Sequence, residues 1–261
     1  MNEQTRNSQS RTSADSSAAD ARGVKVVILA GGLGTRISGH SNGLPKPLVE
    51  IGGKPILWHI MMNYAYQGFE RFIIAVGHKG ESIRRHFTSN GRLGSPACDV
   101  RFVDTGDETA TGGRLKRLAN VIGDGTFMMT WADGLADIDL AALLAFHRSH
   151  GKLATVTAVH PPTHFGHLSL EGDRVAHFVE KPPCGEGWIN GAFFALEPGV
   201  RNYIDGDQTQ WEFEPMQRLA ADGQLMAYRH RSFWRCMDTE QDRAALETYW
   251  NEGSAPWKIW E

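Results

Sequence analysis

The run Val24-Lys-Val-Val-Ile-Leu-Ala-Gly-Gly-Leu-Gly-Thr-Arg-Ile37 passes from an apolar, β-branched stretch directly into three glycines and an arginine. Gly31, Gly32 and Gly34 have no side chains, so their backbone N–H groups stay open to an anion, and Arg36 adds a fixed positive charge just beyond them. The spacing fits neither the Walker phosphate loop nor the G-x-G-x-x-G of dinucleotide folds. A tight strand-to-helix turn would account for the glycines as simply. Lys46 moves the reading toward an anion site, because Pro45 and Pro47 on either side restrict the backbone that presents its ammonium.

Such groups act only if rigid elements aim them. From Val24 to Thr157 short β-rich runs alternate with helical ones, the pattern of βαβ units that build a mainly parallel sheet. Strands are predicted over Val24 to Ala30, Arg71 to Val76, Val100 to Val103, Phe127 to Trp131 and Leu153 to Ala158. Pro55 opens a helix from Ile56 to Gln67 that Gly68 stops; Asp139 caps one from Leu140 to His150 that Gly151 stops. After Pro161, His167 to Leu170 and Arg174 to Val179 flank the turn Glu171-Gly-Asp173 as a hairpin, and Trp188 to Leu196 reads as a further strand, together an antiparallel edge or lid. A helix from Trp211 to Ala221, a strand from Gln224 to Tyr228 and a helix from Thr239 to Trp250 complete the chain. The fold class expected is α/β and Rossmann-like: a mixed, mainly parallel sheet flanked by helices, with a smaller antiparallel part.

With 261 residues, 41% of them hydrophobic, the chain can bury a substantial core, and a formal net charge of -3 leaves no basic footprint for nucleic acid. Cys98, Cys184 and Cys236 are far apart and in no C-x-x-C arrangement, which argues against a disulfide framework and a thiolate zinc site and suits a reducing cytoplasm. Residues 1 to 22 are almost wholly polar and small and read as a disordered leader, with one domain expected over 23–261, divided near residue 158. No segment approaches the ~18 apolar residues needed to span a bilayer. His147 and His150, one helical turn apart, suit a helix C-terminus better than a transition metal, and the Trp250, Trp257 and Trp260 end suits packing.

Five segments, Leu29-Ala-Gly-Gly-Leu-Gly-Thr-Arg36, Pro45-Lys-Pro47, Glu50-Ile-Gly-Gly-Lys-Pro-Ile-Leu57, Glu180-Lys-Pro182 and Met237-Asp-Thr239, resemble in this order the sugar-1-phosphate nucleotidylyltransferase family. Val103-Asp-Thr-Gly-Asp-Glu-Thr-Ala-Thr-Gly-Gly-Arg-Leu-Lys-Arg117 and Ala255-Pro-Trp-Lys-Ile-Trp-Glu261 resemble its cytidylyltransferases in particular. The resemblance covers about residues 24–261. It implies transfer of CMP from CTP to a hexose 1-phosphate, glucose 1-phosphate foremost, giving a CDP-hexose and pyrophosphate with Mg2+ as cofactor. UTP, dTTP, GTP or another sugar phosphate would use the same chemistry, and a non-catalytic sugar-nucleotide sensor would keep the same fold.

The resemblance also implies roles. Leu29 and Ala30, with the loop Gly31, Gly32, Leu33, Gly34, Thr35 and Arg36, would bind the nucleotide, and Arg36, Lys46 and Asp133 would be catalytic. Thr109, Arg114 and Ala132 would complete the nucleotide site, with Arg114 donating to the ring acceptors of cytosine; an arginine early in a helix from Gly113 to Val121 is otherwise an exposed residue. Gly166, Glu180, Lys181, Asn190 and Gly191 would bind the sugar phosphate. Asp133 and Asp238 would hold Mg2+; taken alone, Asp133-Gly134 reads as a turn, and Asp238 as the N-cap of the last helix with Gln241 completing a capping box. The chain departs from the family pattern at Trp131, Ala132, His164, Ala192 and Cys236, where Tyr, Gly, Arg, Gly and Pro are expected. A homo-oligomer is implied, although the segment between Phe87 and Val100 is shorter than in those cytidylyltransferases.

Overall fold

Residues 21–32, 43–89, 98–161, 167–179 and 187–260 are described in the computed structural model. In chain order come β1 (Lys25–Leu29), β2 (Glu50–Ile51), β3 (Lys54–Pro55), α1 (Ile56–Tyr66), β4 (Arg71–Val76), α2 (Gly80–Ser89) and β5 (Asp99–Asp104). Then follow α3 (Thr111–Arg117), α4 (Ala119–Ile122), β6 (Phe127–Trp131), β7 (Gly134–Ala136), α5 (Leu140–His150), β8 (Ala154–Val159), β9 (His167–Glu171) and β10 (Arg174–Val179). The chain ends with β11 (Ile189–Leu196), α6 (Glu214–Ala221), β12 (Leu225–Arg229), β13 (Trp234–Cys236) and α7 (Glu240–Asn251).

Seven strands form one sheet in the order β12-β8-β11-β6-β1-β4-β5. All pairs are parallel except those of β11, which runs antiparallel to both β6 and β8. The central strands are buried on both faces, which is why they read as unbroken apolar runs. In β1, Val26 and Ile28 pack into one core with α1, α5 and α7, while Val27 and Leu29 pack into a second with α3, α4 and α6. The strand expected as an antiparallel edge, β11, instead lies inside the sheet. Its Phe193 and Ala195 pack into the first core and Phe194 and Leu196 into the second, and the buried backbone is satisfied by pairing on both edges. Of the segments expected at that edge, β9 and β10 do form a separate hairpin, with a bulge between Val175 and His177.

Three other expectations shift. Ala21, assigned to the leader, is fully buried in the first core and accepts a hydrogen bond from the Val24 amide, so the fold begins earlier than residue 23. The helix expected from Trp211 begins at Glu214, where Pro215 sets the first turn and Trp211 is instead a buried core residue. Thr239, not Asp238, caps α7: its hydroxyl accepts from the Asp242 amide, and the Asp242 carboxylate accepts from the Thr239 amide. Trp257 and Trp260 fold back into the first core, as packing residues. Among the described residues no helix is long and apolar enough to cross a membrane.

Candidate active site

In an open α/β sheet the strand ends diverge where successive connections leave in opposite directions, and ligands collect there. Here that point lies between β1, whose neighbour on one side is β4, and β6 on its other side. The carboxyl ends of these strands open into a cleft of about 720 Å³. Ala30, Gly31 and Gly32 after β1 and Ala132 and Asp133 after β6 form its floor, and Lys46, Thr109 and Asp238 stand in its walls. Its volume is that of a small-molecule site.

Lys46 is fixed from below. Pro45 holds an extended backbone, Lys46–Leu48 makes one tight 3-10 turn, and Pro47 and Leu48 are buried, so only the lysine points out. Its ammonium lies 2.8 Å from Asp133 Oδ2 and 2.8 Å from Asp238 Oδ1. Burial, the largest single influence, pulls the Lys46 pKa down, but the two carboxylates together outweigh it and the net shift is upward. Lys46 is therefore a firm cation at neutral pH.

Asp133 and Asp238 meet because of a short ribbon. Strand β7, immediately after Asp133, pairs antiparallel with β13, with Cys236 opposite Gly134, and the Met237 amide donates to the Asp133 carbonyl at 2.8 Å. Since Thr239 takes the cap of α7, the Asp238 carboxylate is left for the cleft. The Cys236 sulfur joins them: one donor atom from each of Asp133, Cys236 and Asp238 lies within 4.8 Å of the others. Burial and then the Asp133 charge push the Cys236 thiol well above its usual range, keeping it protonated at neutral pH. Two carboxylates converging on a cationic group are a donor set suited to a divalent metal, which would complete its shell with phosphate oxygens and water.

Arg114 lines the cleft but is not an exposed helix arginine; it is 3% exposed. Nη1 donates to Thr105 Oγ1 at 2.7 Å and Val76 O at 3.2 Å, and Nη2 to Gly31 O at 2.9 Å and Asp107 O at 3.2 Å. Both terminal nitrogens, expected on cytosine, are thus engaged with protein oxygens. The guanidinium ties the glycine loop to the 105–107 turn, and the glycines make room for it. A Cβ on Gly31 would fall 2.2 Å from Arg114 Nη1, and one on Gly77 2.5 Å from it.

The helix behind Arg114 is docked by its own glycines. Cβ atoms on Gly112 and Gly113 would lie 2.7 Å from Thr209 O and 2.3 Å from Asp207 O, the carbonyls that accept from amides of this first turn. Thr111 Oγ1 donates to Glu212 at 2.6 Å and accepts from the Trp211 amide at 2.8 Å. This contact brings Gln210 and Glu212 into the cleft wall, two residues that sequence reasoning passed over because neither lies in a motif.

Asn190 and Gly191, which the family resemblance assigns to the sugar phosphate, lie at the start of β11 and do not line this cleft. The Gly191 carbonyl accepts from Trp234 Nε1 at 2.7 Å, and the same indole nitrogen lies 3.9 Å from where a Cβ on Gly134 would be, one residue past Asp133. Trp234, unremarked in the sequence, thus ties this segment to the ribbon of β7 and β13. Ala192 has a left-handed backbone with φ 66°, whereas Ala132 does not, so only the first of these two expected glycines is missed conformationally. Leu33, Gly34, Thr35, Arg36, Gly166, Glu180 and Lys181 lie outside the described residues.

Residues 25–251 match the Nucleotidyl transferase family. A glucose-1-phosphate cytidylyltransferase of Salmonella typhi is 47% identical over 257 residues, covering 91% of this chain and all of that protein. The crystal structure of HddC from Yersinia pseudotuberculosis superposes with a TM-score of 0.70 at 25% identity, over 87% of this chain and 99% of the other. A UDP-glucose pyrophosphorylase bound to UDP-glucose shares the fold, with a TM-score of 0.68 at 14% identity, over 88% of this chain and 99% of the other. With the match running over residues 25–251 and through every strand that frames the cleft, this protein belongs to the nucleotidyl transferase family and is a nucleotidyltransferase.

Proposed function

We propose that the protein transfers CMP from CTP to a hexose 1-phosphate, glucose 1-phosphate foremost, releasing pyrophosphate and a CDP-hexose. What carries the reading is the full-length 47% identity to a cytidylyltransferase, on a chain whose Lys46, Asp133 and Asp238 converge in the cleft. A phosphate oxygen of the sugar 1-phosphate attacks the α-phosphorus of CTP in line, and the bond from that phosphorus to the pyrophosphate oxygen breaks. No covalent enzyme intermediate is needed, so the protein contributes position and charge.

The amides of Gly31 and Gly32 would hold the outer phosphates, and among the described residues nothing lies within 4 Å of where a Cβ on Gly32 would be. Arg36, by family resemblance, adds a charge there, and Lys181 takes the phosphate of the incoming sugar. Lys46 shifts from the two carboxylates toward the reacting phosphates and neutralises the charge that builds on the leaving pyrophosphate. Asp133 and Asp238 would hold Mg2+, which supplies Lewis-acid neutralisation of the phosphate oxygens when bound. Thr109, buried at the cleft wall, and Arg114 behind it shape the base pocket. Pyrophosphate release from CTP, Mg2+ and glucose 1-phosphate, measured against panels of other triphosphates and sugar phosphates, tests the proposal. Release no faster than the enzyme-free control across the panel refutes it, and tight nucleotide binding without release would identify a sensor.

A further inference from the structure

The acidic pair of the cleft has a soft neighbour. Cys236 ends β13 opposite Gly134, which has no side chain to cover the sulfur on that face of the ribbon. Its thiol is half-buried, and the sulfur and one oxygen from each of Asp133 and Asp238 lie within 4.8 Å of one another. Independently of the sulfur, the Lys46 ammonium sits 2.8 Å from both carboxylates, which marks where they converge on a cation.

We propose that Cys236 is a third protein ligand at this cation position, so that the site binds thiophilic divalent ions such as Zn2+ and Cd2+ in competition with Mg2+. The inference rests on the reading of Asp133 and Asp238 as cation ligands. Two carboxylates alone form a hard, all-oxygen set that suits Mg2+, which gains little from sulfur. A thiolate added to them favours softer ions. On binding, the S–H bond of Cys236 breaks and the sulfur lone pair forms the bond to the metal. The proton leaves to solvent, and nothing is oxidised or reduced. The incoming dication takes the place of the Lys46 ammonium between the carboxylates. The protein would thereby be open to inhibition by trace zinc through a donor unrelated to its reaction.

The test uses the full-length protein without substrates, titrated with Cd2+ and followed by the ultraviolet thiolate-to-cadmium charge-transfer band and by calorimetry. The wild type is expected to take up one Cd2+ with the band, and excess Mg2+ to remove it. Cys236→Ser, confirmed folded by circular dichroism, should lose the band and bind Cd2+ about tenfold more weakly or worse, on the scale of losses at altered metal sites. Asp133→Asn should keep the band and weaken binding, which decides the matter should Cys236→Ser not fold. Cys98→Ser and Cys184→Ser should leave the band in place. A band that survives Cys236→Ser, one that is indifferent to both Asp133→Asn and Mg2+, or no band in the wild type overturns the proposal. Pyrophosphate release with Mg2+ is scored separately, so an inactive protein with an intact Cd2+ band would sink the transferase reading and leave this one standing.

Discussion

Gly31→Ala separates two explanations of the glycine loop, room for a phosphate and room for Arg114. The backbone of Gly31 is not left-handed, so alanine meets no conformational obstacle there. The obstacle is the Arg114 guanidinium, with Nη1 at 2.2 Å and Cζ at 2.4 Å from the added Cβ. The guanidinium must leave its four oxygen partners, among them the Gly31 carbonyl itself. Breaking the contacts of a buried charged group costs about 3–5 kcal/mol. Urea unfolding of Gly31→Ala should register a loss of that size, and Arg114→Ala a similar one for the stranded acceptors. In the double variant the added methyl has nothing to displace, so its loss should match Arg114→Ala alone, a coupling of about 3 kcal/mol. Losses that add to within about 0.5 kcal/mol would refute the steric account. Gly32→Ala is the internal control: among the described residues no atom lies within 4 Å of the added Cβ, so stability should be unchanged while KM for the triphosphate rises.

His59 should make the protein acid-sensitive. It is fully buried among Trp58, Trp250 and Trp257, with Nε2–H donating to Ile51 O at 2.8 Å and Nδ1 accepting from Trp257 Nε1 at 3.4 Å, so only the neutral ring fits. Burial above all lowers its pKa from 6.5 to about 4. The unfolded chain therefore binds the extra proton first, and stability present above pH 6.5 falls as the pH drops toward 4, by about 3 kcal/mol in all. A slope of unfolding free energy against pH that is the same in His59→Gln as in the wild type would contradict this. Lys46→Ala and Asp133→Asn should each lower kcat by about a hundredfold or more while the circular dichroism spectrum is unchanged, as expected for charge placed against reacting phosphates; wild-type turnover in a folded variant removes that residue's role. Ala192→Gly, relieving φ 66°, should raise stability by about 0.5–1 kcal/mol in thermal melts, and a loss would show that the alanine methyl contributes packing that outweighs the strain.

What the sequence disclosed, and what it withheld, divides along the range of the interactions involved. Strands β1, β4 and β6 were legible because burial on both faces writes an unbroken apolar run into the chain itself, and α5 because Asp139 and Gly151 punctuate it locally. The interior position of β11 was not legible, since a strand's neighbours are fixed by pairing with segments such as Phe127–Trp131 and Ala154–Val159 that are remote in sequence. The acidic pair shows the same division more sharply. Either aspartate alone is a turn or a cap residue, and nothing local says that the register of β7 against β13 will place them together. Which residue caps α7 was misread by one position, and that single position decides whether the Asp238 carboxylate is spent on backbone amides or left for the cleft. Arg114 belongs to a third kind, in which the trace was present but spread out. Gly31 and Gly77 lie far apart in the chain and have no common motif, yet both lack a side chain where one guanidinium must pass. The opening glycine of the loop is thus accounted for by an arginine more than eighty residues away, while at its neighbour Gly32 no described residue stands within 4 Å of where a Cβ would be, which leaves that position open to a phosphate.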